Sequence, residues 1–150
     1  MTEVLFYHLE RSRLEDVLPG LLEKTLERNW RAVVRAGSRE RVKALDDFLW
    51  TYRDESFLPH GAGVEGDKEP IWLTEGDGAP NEPNIIFLVD GAKAEPLSIA
   101  GLERCVMIFD GRDDEAVGEA RGFWKAVKAE GHEATYWKQS PQTNRFEKQE

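Results

Sequence analysis

Asn84-Ile85-Ile86-Phe87-Leu88-Val89 is the most continuous apolar run in this 150-residue chain, and its reading decides the fold. A strand with one wet face alternates polar and apolar residues. This one does not, which predicts a central strand covered on both sides, as in a parallel sheet. Downstream, residues 96–100 predict a single helical turn, 104–110 another buried strand and 113–130 a helix stopped by Gly131. Residues 133–137 predict a last strand. Upstream, residues 75–83 hold two glycines, two prolines and three acids and predict a loop, preceded by a short strand at 69–74.

The first third of the chain has the same logic. Residues 3–9 predict a buried strand, with Val4, Phe6 and His8 on one side and Leu5, Tyr7 and Leu9 on the other. Leu14, Val17, Leu18, Leu21, Leu22, Thr25 and Leu26 then recur at 3.6-residue spacing, so residues 14–29 predict a helix. Pro19 either kinks that helix or starts it afresh. Residues 30–35 read as a strand, and Ser38 is a suitable N-cap for a helix over 39–51. Strand and helix alternate throughout. The expected class is α/β: a three-layer, Rossmann-like domain with a mostly parallel central sheet, spanning residues 1–139. Residues 140–150 are polar and are expected to form a flexible tail.

Bulk properties limit the functions available. The chain is 40% hydrophobic and 33% charged, with a net charge of −9. Affinity for nucleic acid depends on cations neutralising phosphates, so any contact with DNA is expected indirectly, through another protein, unless a strongly local basic patch supplies it. No run approaches the roughly 20 apolar residues of a membrane span, and Met1-Thr2-Glu3 lacks the basic start of a signal peptide. No membrane association is expected. Cys105, the single cysteine, lies in an apolar run and reads as a buried structural thiol, so a reducing, cytoplasmic location is expected.

Catalytic patterns are weak. Gly61-Ala62-Gly63-Val64-Glu65-Gly66 matches a dinucleotide fingerprint letter for letter. The fingerprint requires a following helix to meet the pyrophosphate, yet Asp67-Lys68-Glu69-Pro70 and a strand follow. A small nucleotide-dependent enzyme using the loop from Gly61 to Gly66 is the alternative reading. His8, His60 and His132 are scattered singly, without metal-ligand spacing, and no serine has nucleophile context. No catalytic residue, metal ligand or cofactor is expected.

Two surfaces stand out. In the 39–51 helix, Leu45, Phe48 and Leu49 face the core while Trp50 lies one residue off that stripe. With Phe57 seven residues later, Trp50 forms either an exposed docking patch or part of the core. In the 113–130 helix, Ala116, Ala120, Phe123 and Val127 form the core stripe. Rotated from it, Arg121, Trp124, Lys125 and Lys128 fall at i, i+3, i+4 and i+7. A ring among three cations suits a ligand with carboxylates and an apolar anchor; an ordinary solvated face has the same composition.

Leu49-Trp50, followed by Asp54-Glu55-Ser56-Phe57-Leu58-Pro59-His60, resembles the chi subunit family of bacterial DNA polymerase III. The resemblance extends to Val4-Leu5-Phe6-Tyr7-His8-Leu9 and to the helix ending near Gly131. It spans most of residues 3–138, loosely over 61–84. It implies a non-catalytic accessory subunit of the clamp-loader assembly. Arg121, Trp124 and Lys125 match the family's pocket for the acidic C-terminal tail of single-stranded-DNA-binding protein, which ends in phenylalanine, and Lys128 adjoins them. A tryptophan replaces the family's tyrosine, and Val117 occupies a position that is otherwise basic, which implies either a lower affinity or a contact supplied by Lys128 or Arg112. Trp50, Phe57, Leu58 and Pro59 match the docking surface for the psi subunit or an equivalent clamp-loader component, which a helicase-type partner also uses.

Overall fold

The computed structural model describes residues 2–51, 60–62, 69–76, 78–79, 81–140, 142–143 and 145–149. In chain order the elements are β1 (Glu3–Leu9), α1 (Leu14–Glu27), β2 (Ala32–Arg35), α2 (Arg39–Thr51), β3 (His60–Ala62) and β4 (Ile71–Thr74). Then follow β5 (Ile85–Leu88), a 3-10 turn (Pro96–Ile99), β6 (Arg104–Asp110), α3 (Asp114–Ala129), β7 (Glu133–Gln139) and β8 (Phe146–Gln149). The strands form one sheet in the order β3-β4-β2-β5-β6-β1-β7-β8. Every pairing is parallel except β7 with β8.

The apolar run at 84–89 does occupy the middle of the sheet, paired with β2 on one side and β6 on the other. Ile85 to Val89 are all buried. Alternate residues enter two separate cores, as a sheet covered on both faces requires. Leu5, Val34, Ile85, Phe87 and Val106 pack with Leu18 and Leu22 of α1 and Leu45 and Leu49 of α2. Val4, Phe6, Val33, Ile86, Leu88 and Met107 pack with Ala120, Phe123 and Val127 of α3 and with Ile99 of the 3-10 turn. The architecture is a three-layer α/β domain. No described helix is long and apolar enough to cross a membrane.

Helix ends follow the expected chemistry. The Arg41 N–H donates to Ser38 Oγ at 3.2 Å at the start of α2. Asp113 caps α3 by accepting from the N–H groups of Glu115 and Ala116. Gly131, at φ 85°, supplies the left-handed residue just beyond its end. α1 begins at Leu14 with Pro19 inside it, so the proline interrupts the helix without restarting it.

Elsewhere the structure departs from the pattern. β2 starts at Ala32 because the N–H of Arg31 is taken by Asn84 Oδ1 at 2.9 Å. Trp30 turns out of the sheet, with the Arg28 and Arg104 guanidiniums 5.1 and 5.4 Å from its ring. Gly61, the first glycine of the fingerprint, lies in β3 and pairs with Trp72; residues 63–66 lie outside the described residues. β8 is a strand that the polar composition of residues 140–150 does not announce, and its pairing with β7 carries β7 on to Gln139.

Gln139 closes the molecule. Its buried Oε1 accepts from the N–H groups of Glu10, Arg11 and Ser12 at 3.1–3.2 Å, and its Nε2 donates to Ser12 Oγ at 2.7 Å. One side chain therefore satisfies three successive N–H groups of the turn leading from β1 into α1, and Asp16 takes the fourth, that of Arg13. Replacing it with alanine orphans three donors, of which solvent reaches some. The expected loss is about 2–3 kcal/mol of unfolding free energy, read by urea titration; a loss below about 0.5 kcal/mol would show that the turn holds without it.

Candidate functional site

Asp110 at the end of β6, Gly111 and Arg112 lead the chain into α3. Gly111 is required by a close approach: a Cβ there would lie 1.8 Å from His8 Nε2. That contact sets the start of α3 directly against β1. Phe123 and Val127 then face the sheet, and Phe6 meets Phe123 with ring centroids 5.9 Å apart.

Trp124 is half-buried at the edge of this core. Its ring lies 5.2 Å from Phe6 and 6.3 Å from Tyr136 of β7, and Lys128 Nζ stands 5.1 Å from its centroid. Arg121, Lys125 and Lys128 are exposed, and none forms an ion pair among the described residues. The structure therefore brings together the four residues singled out on this helix. Val117, one turn earlier, packs partly buried against the core. Arg112 is tied elsewhere, with Nε 2.8 Å from Asp110 Oδ1, which leaves Lys128 as the cation beside the ring.

Sequence reading missed the second layer of this site. Tyr136 forms a floor beside Trp124, and its hydroxyl bonds His8 Nδ1. Burial pushes the Tyr136 pKa up, while the nearby Arg121 guanidinium opposes that shift. His8 is buried, 5.3 Å from Phe109 and with Nε2 2.9 Å from Glu10 Oε1. The signal was present in the alternation of β7, where Ala134 and Tyr136 face α3 and Trp137 faces the opposite core.

Of the other surface, Trp50 and His60 fall within the described residues. Trp50 is 51% exposed in the last turn of α2, with its ring 4.4 Å from His60. His60 is buried, with Nε2 3.2 Å from Asp46 Oδ1. Phe57, Leu58 and Pro59 lie outside the described residues. Cys105 is fully buried, and burial pushes its thiol up to about 12. Among the described residues, no group of three His, Cys, Asp or Glu is placed to hold a metal ion.

Residues 1–135 match the family described as DNA polymerase III chi subunit, HolC. The chain belongs to the chi subunit family. It is also 25% identical over 91 residues to a protein of Rickettsia prowazekii (strain Madrid E) named "Probable DNA polymerase III subunit chi". That alignment covers 59% of this chain and 55% of the relative. The family match includes α3 up to Gly131 and the Trp50 end of α2. The matched residues include Leu49-Trp50 and the Ser-Phe-Leu-Pro-His run, whose resemblance to this family is thereby borne out.

His8 makes the floor of the site sensitive to pH. Burial, the dominant influence, holds its pKa below the ordinary value, with Glu10 opposing. The unfolded chain protonates near the usual imidazole value of about 6.5, the folded chain only at lower pH. The unfolded state thus binds more protons in between, and stability, complete above about 6.5, falls as the pH is lowered. Asp16 and Asp110 act in a lower window. The Arg13 N–H holds the first carboxyl down and the Arg112 side chain the second, so their contributions are lost as pH falls below about 4. Denaturation midpoints measured at pH 7.5 and 5.5 should fall for the wild type and change less for His8→Asn. Equal falls in the two proteins would assign the effect to other groups.

Proposed function

We propose that this chi-family chain is a non-catalytic accessory subunit that links the polymerase III clamp-loader assembly to single-stranded DNA coated by its binding protein. The α3 strip holds the acidic C-terminal tail of that protein. One observation carries the reading: in a protein of net charge −9, three exposed cations that form no ion pair among the described residues share a helix face with a half-buried tryptophan, and one of them stands over its ring. Arg121 suits a bidentate grip on a carboxylate, and the Trp124–Tyr136 floor suits the terminal phenylalanine. Long-range steering by the net charge opposes an acidic peptide, so the local cations must reverse the field. DNA is then reached only through its coating protein, and the chain acts from a cytoplasmic location.

The Trp50 face, with Phe57, Leu58 and Pro59, is the proposed docking surface for a psi subunit or equivalent clamp-loader component, and for a helicase-type partner. Two weak contacts on one subunit combine through effective concentration, so linked binding exceeds either alone.

Fluorescence anisotropy with a labelled acidic peptide ending in phenylalanine tests the first contact. Losing one charge-assisted bond costs about 1.5–3 kcal/mol, so Arg121→Ala should weaken binding roughly ten- to a hundredfold. Lys125→Ala should cost less, being more exposed and better screened. Affinity should fall with salt, and that slope should flatten in Arg121→Ala. Unchanged affinity in a folded Arg121→Ala protein returns the strip to an ordinary solvated face.

The second contact has its own measurement. Trp50 is half-exposed, so Trp50→Ala should cost about 1 kcal/mol of stability or less while abolishing capture of a clamp-loader-side partner in a pulldown. Retained capture would place the docking surface elsewhere.

A further inference from the structure

α3 has a second flank, and the field there has the opposite sign. A cleft of about 920 Å³ opens between α3 and the segment leaving β5, above the C-terminal ends of β5, β6 and β1. This is a topological switch point. The chain leaves β1 for α1 on one face of the sheet, whereas the adjacent β6 leads to α3 on the other. Open α/β sheets bind ligands where neighbouring strands send their connections apart.

The floor is apolar and reachable. Leu88, Met107, Phe109 and Phe123 line it, and the last three keep 7–9% exposure, unlike Phe6 or Cys105 deeper in the same core at 0%. The rim is acidic, with seven carboxylates against four cations. Those cations are engaged: Arg41 with Glu15 and Asp90, Arg112 with Asp110, Lys93 with Glu119, and Arg13 with Asp16. Glu95 on one wall and Glu115 on the other form no ion pair among the described residues.

The walls are built in advance. Arg41 bonds Asp90 and Glu15 at 2.9 and 2.7 Å, tying the β5 exit, α2 and α1 together. Asp90 and Gly91 hold φ values of 51° and 82°, and a Cβ on Gly37 would lie 2.0 Å from the Asp90 carbonyl oxygen. On the other wall Gly122 weakens the helix relative to alanine, although nothing lies within 4 Å of a Cβ placed on it. No contact inside the fold requires that glycine, but any larger side chain there would narrow the cleft.

We infer that this cleft docks a short basic segment of a partner protein, extended in conformation and anchored by an apolar side chain. Its length favours a peptide: from Asp113 to Ala126 the lining follows α3 for about 20 Å, room for roughly six residues of extended chain. Charge complementarity sets the sign. The rim excludes the acidic tail assigned to the opposite flank, and the net charge of −9 steers a cationic segment inward.

The test uses the full chain and an array of hexapeptides carrying leucine or phenylalanine between lysines and arginines, with acidic and neutral counterparts. Basic members should bind with a Kd tighter than about 100 μM, and amide NMR shifts should map to residues 92–95 and 115–122. Gly122→Phe and Glu95→Lys/Glu115→Lys should each weaken binding at least tenfold, with Arg121→Ala leaving it unchanged. Circular dichroism checks that the variants fold. No basic peptide binding, equal binding by acidic peptides, or affinity indifferent to both variants would overturn the proposal. So would sedimentation showing a dimer that Gly122→Phe dissolves, since the occupant would then be a second copy.

Discussion

A sheet buried on both faces must be covered on both faces, and here the cover is unequal. Eight strands spaced about 4.8 Å apart span roughly 34 Å, while a helix with its side chains is about 10 Å across. Two helices, α1 and α2, share one face. Among the described residues only α3 and the 3-10 turn lie on the other. One helix cannot close that face, so each flank of α3 leaves core residues within reach of a ligand. Trp124 and Tyr136 lie on one flank, Met107 and Phe109 on the other.

The order of the strands explains why these flanks lie where they do. Placing β1 between β6 and β7 brings its exit turn beside that of β6. Three contacts fix the crossing: Gln139 gathers the N–H groups of Glu10, Arg11 and Ser12, His8 lies against Gly111, and Arg112 Nη2 donates to the Ser12 carbonyl. At the opposite end Thr2 Oγ1 donates to the Ile99 carbonyl at 2.6 Å, and His132 receives the Thr2 N–H while its Nε2 donates to the Pro96 carbonyl. Apart from His132 with Pro96, these polar contacts join residues 97 to 130 positions apart, so they add little local signal to the sequence.

That contrast explains what could be read in advance. The apolar run at 84–89, the stripes of Leu18 and Leu22 and of Phe123 and Val127, and the caps at Ser38 and Gly131 are local signals, and each led to the observed element. β3 and β8 were not legible: their three and four residues owe their strand form to a neighbour, β4 or β7, rather than to their own composition. The candidate site divides the same way. Helical spacing puts Arg121, Trp124, Lys125 and Lys128 on one face and the family resemblance marks that face as a candidate site, whereas Tyr136, His8 and Phe6 join them through strand pairing. The acidic cleft draws on four separated segments, and no short window of sequence contains it.

α3 therefore carries two signs of charge on one axis. Glu115 and Glu119 lie on the cleft side, and Arg121, Lys125 and Lys128 on the β7 side, within a single 16-residue helix. A helix proposed to serve a ligand on each flank must not shift when either is filled, and its core stripe supplies that rigidity. Phe6 of β1 packs against both Phe123 and Trp124, so the tryptophan of the candidate site is held by the ring that anchors the helix. Such a ring is ordered before a ligand arrives, which reduces the entropy lost on binding. The same coupling has a structural cost. Trp124 cannot be altered as a surface residue, because any change to it also unpacks Phe6 and Tyr136. Arg121 and Gly122 carry no such burden, and through these adjacent positions the two flanks can be separated experimentally without disturbing the core between them.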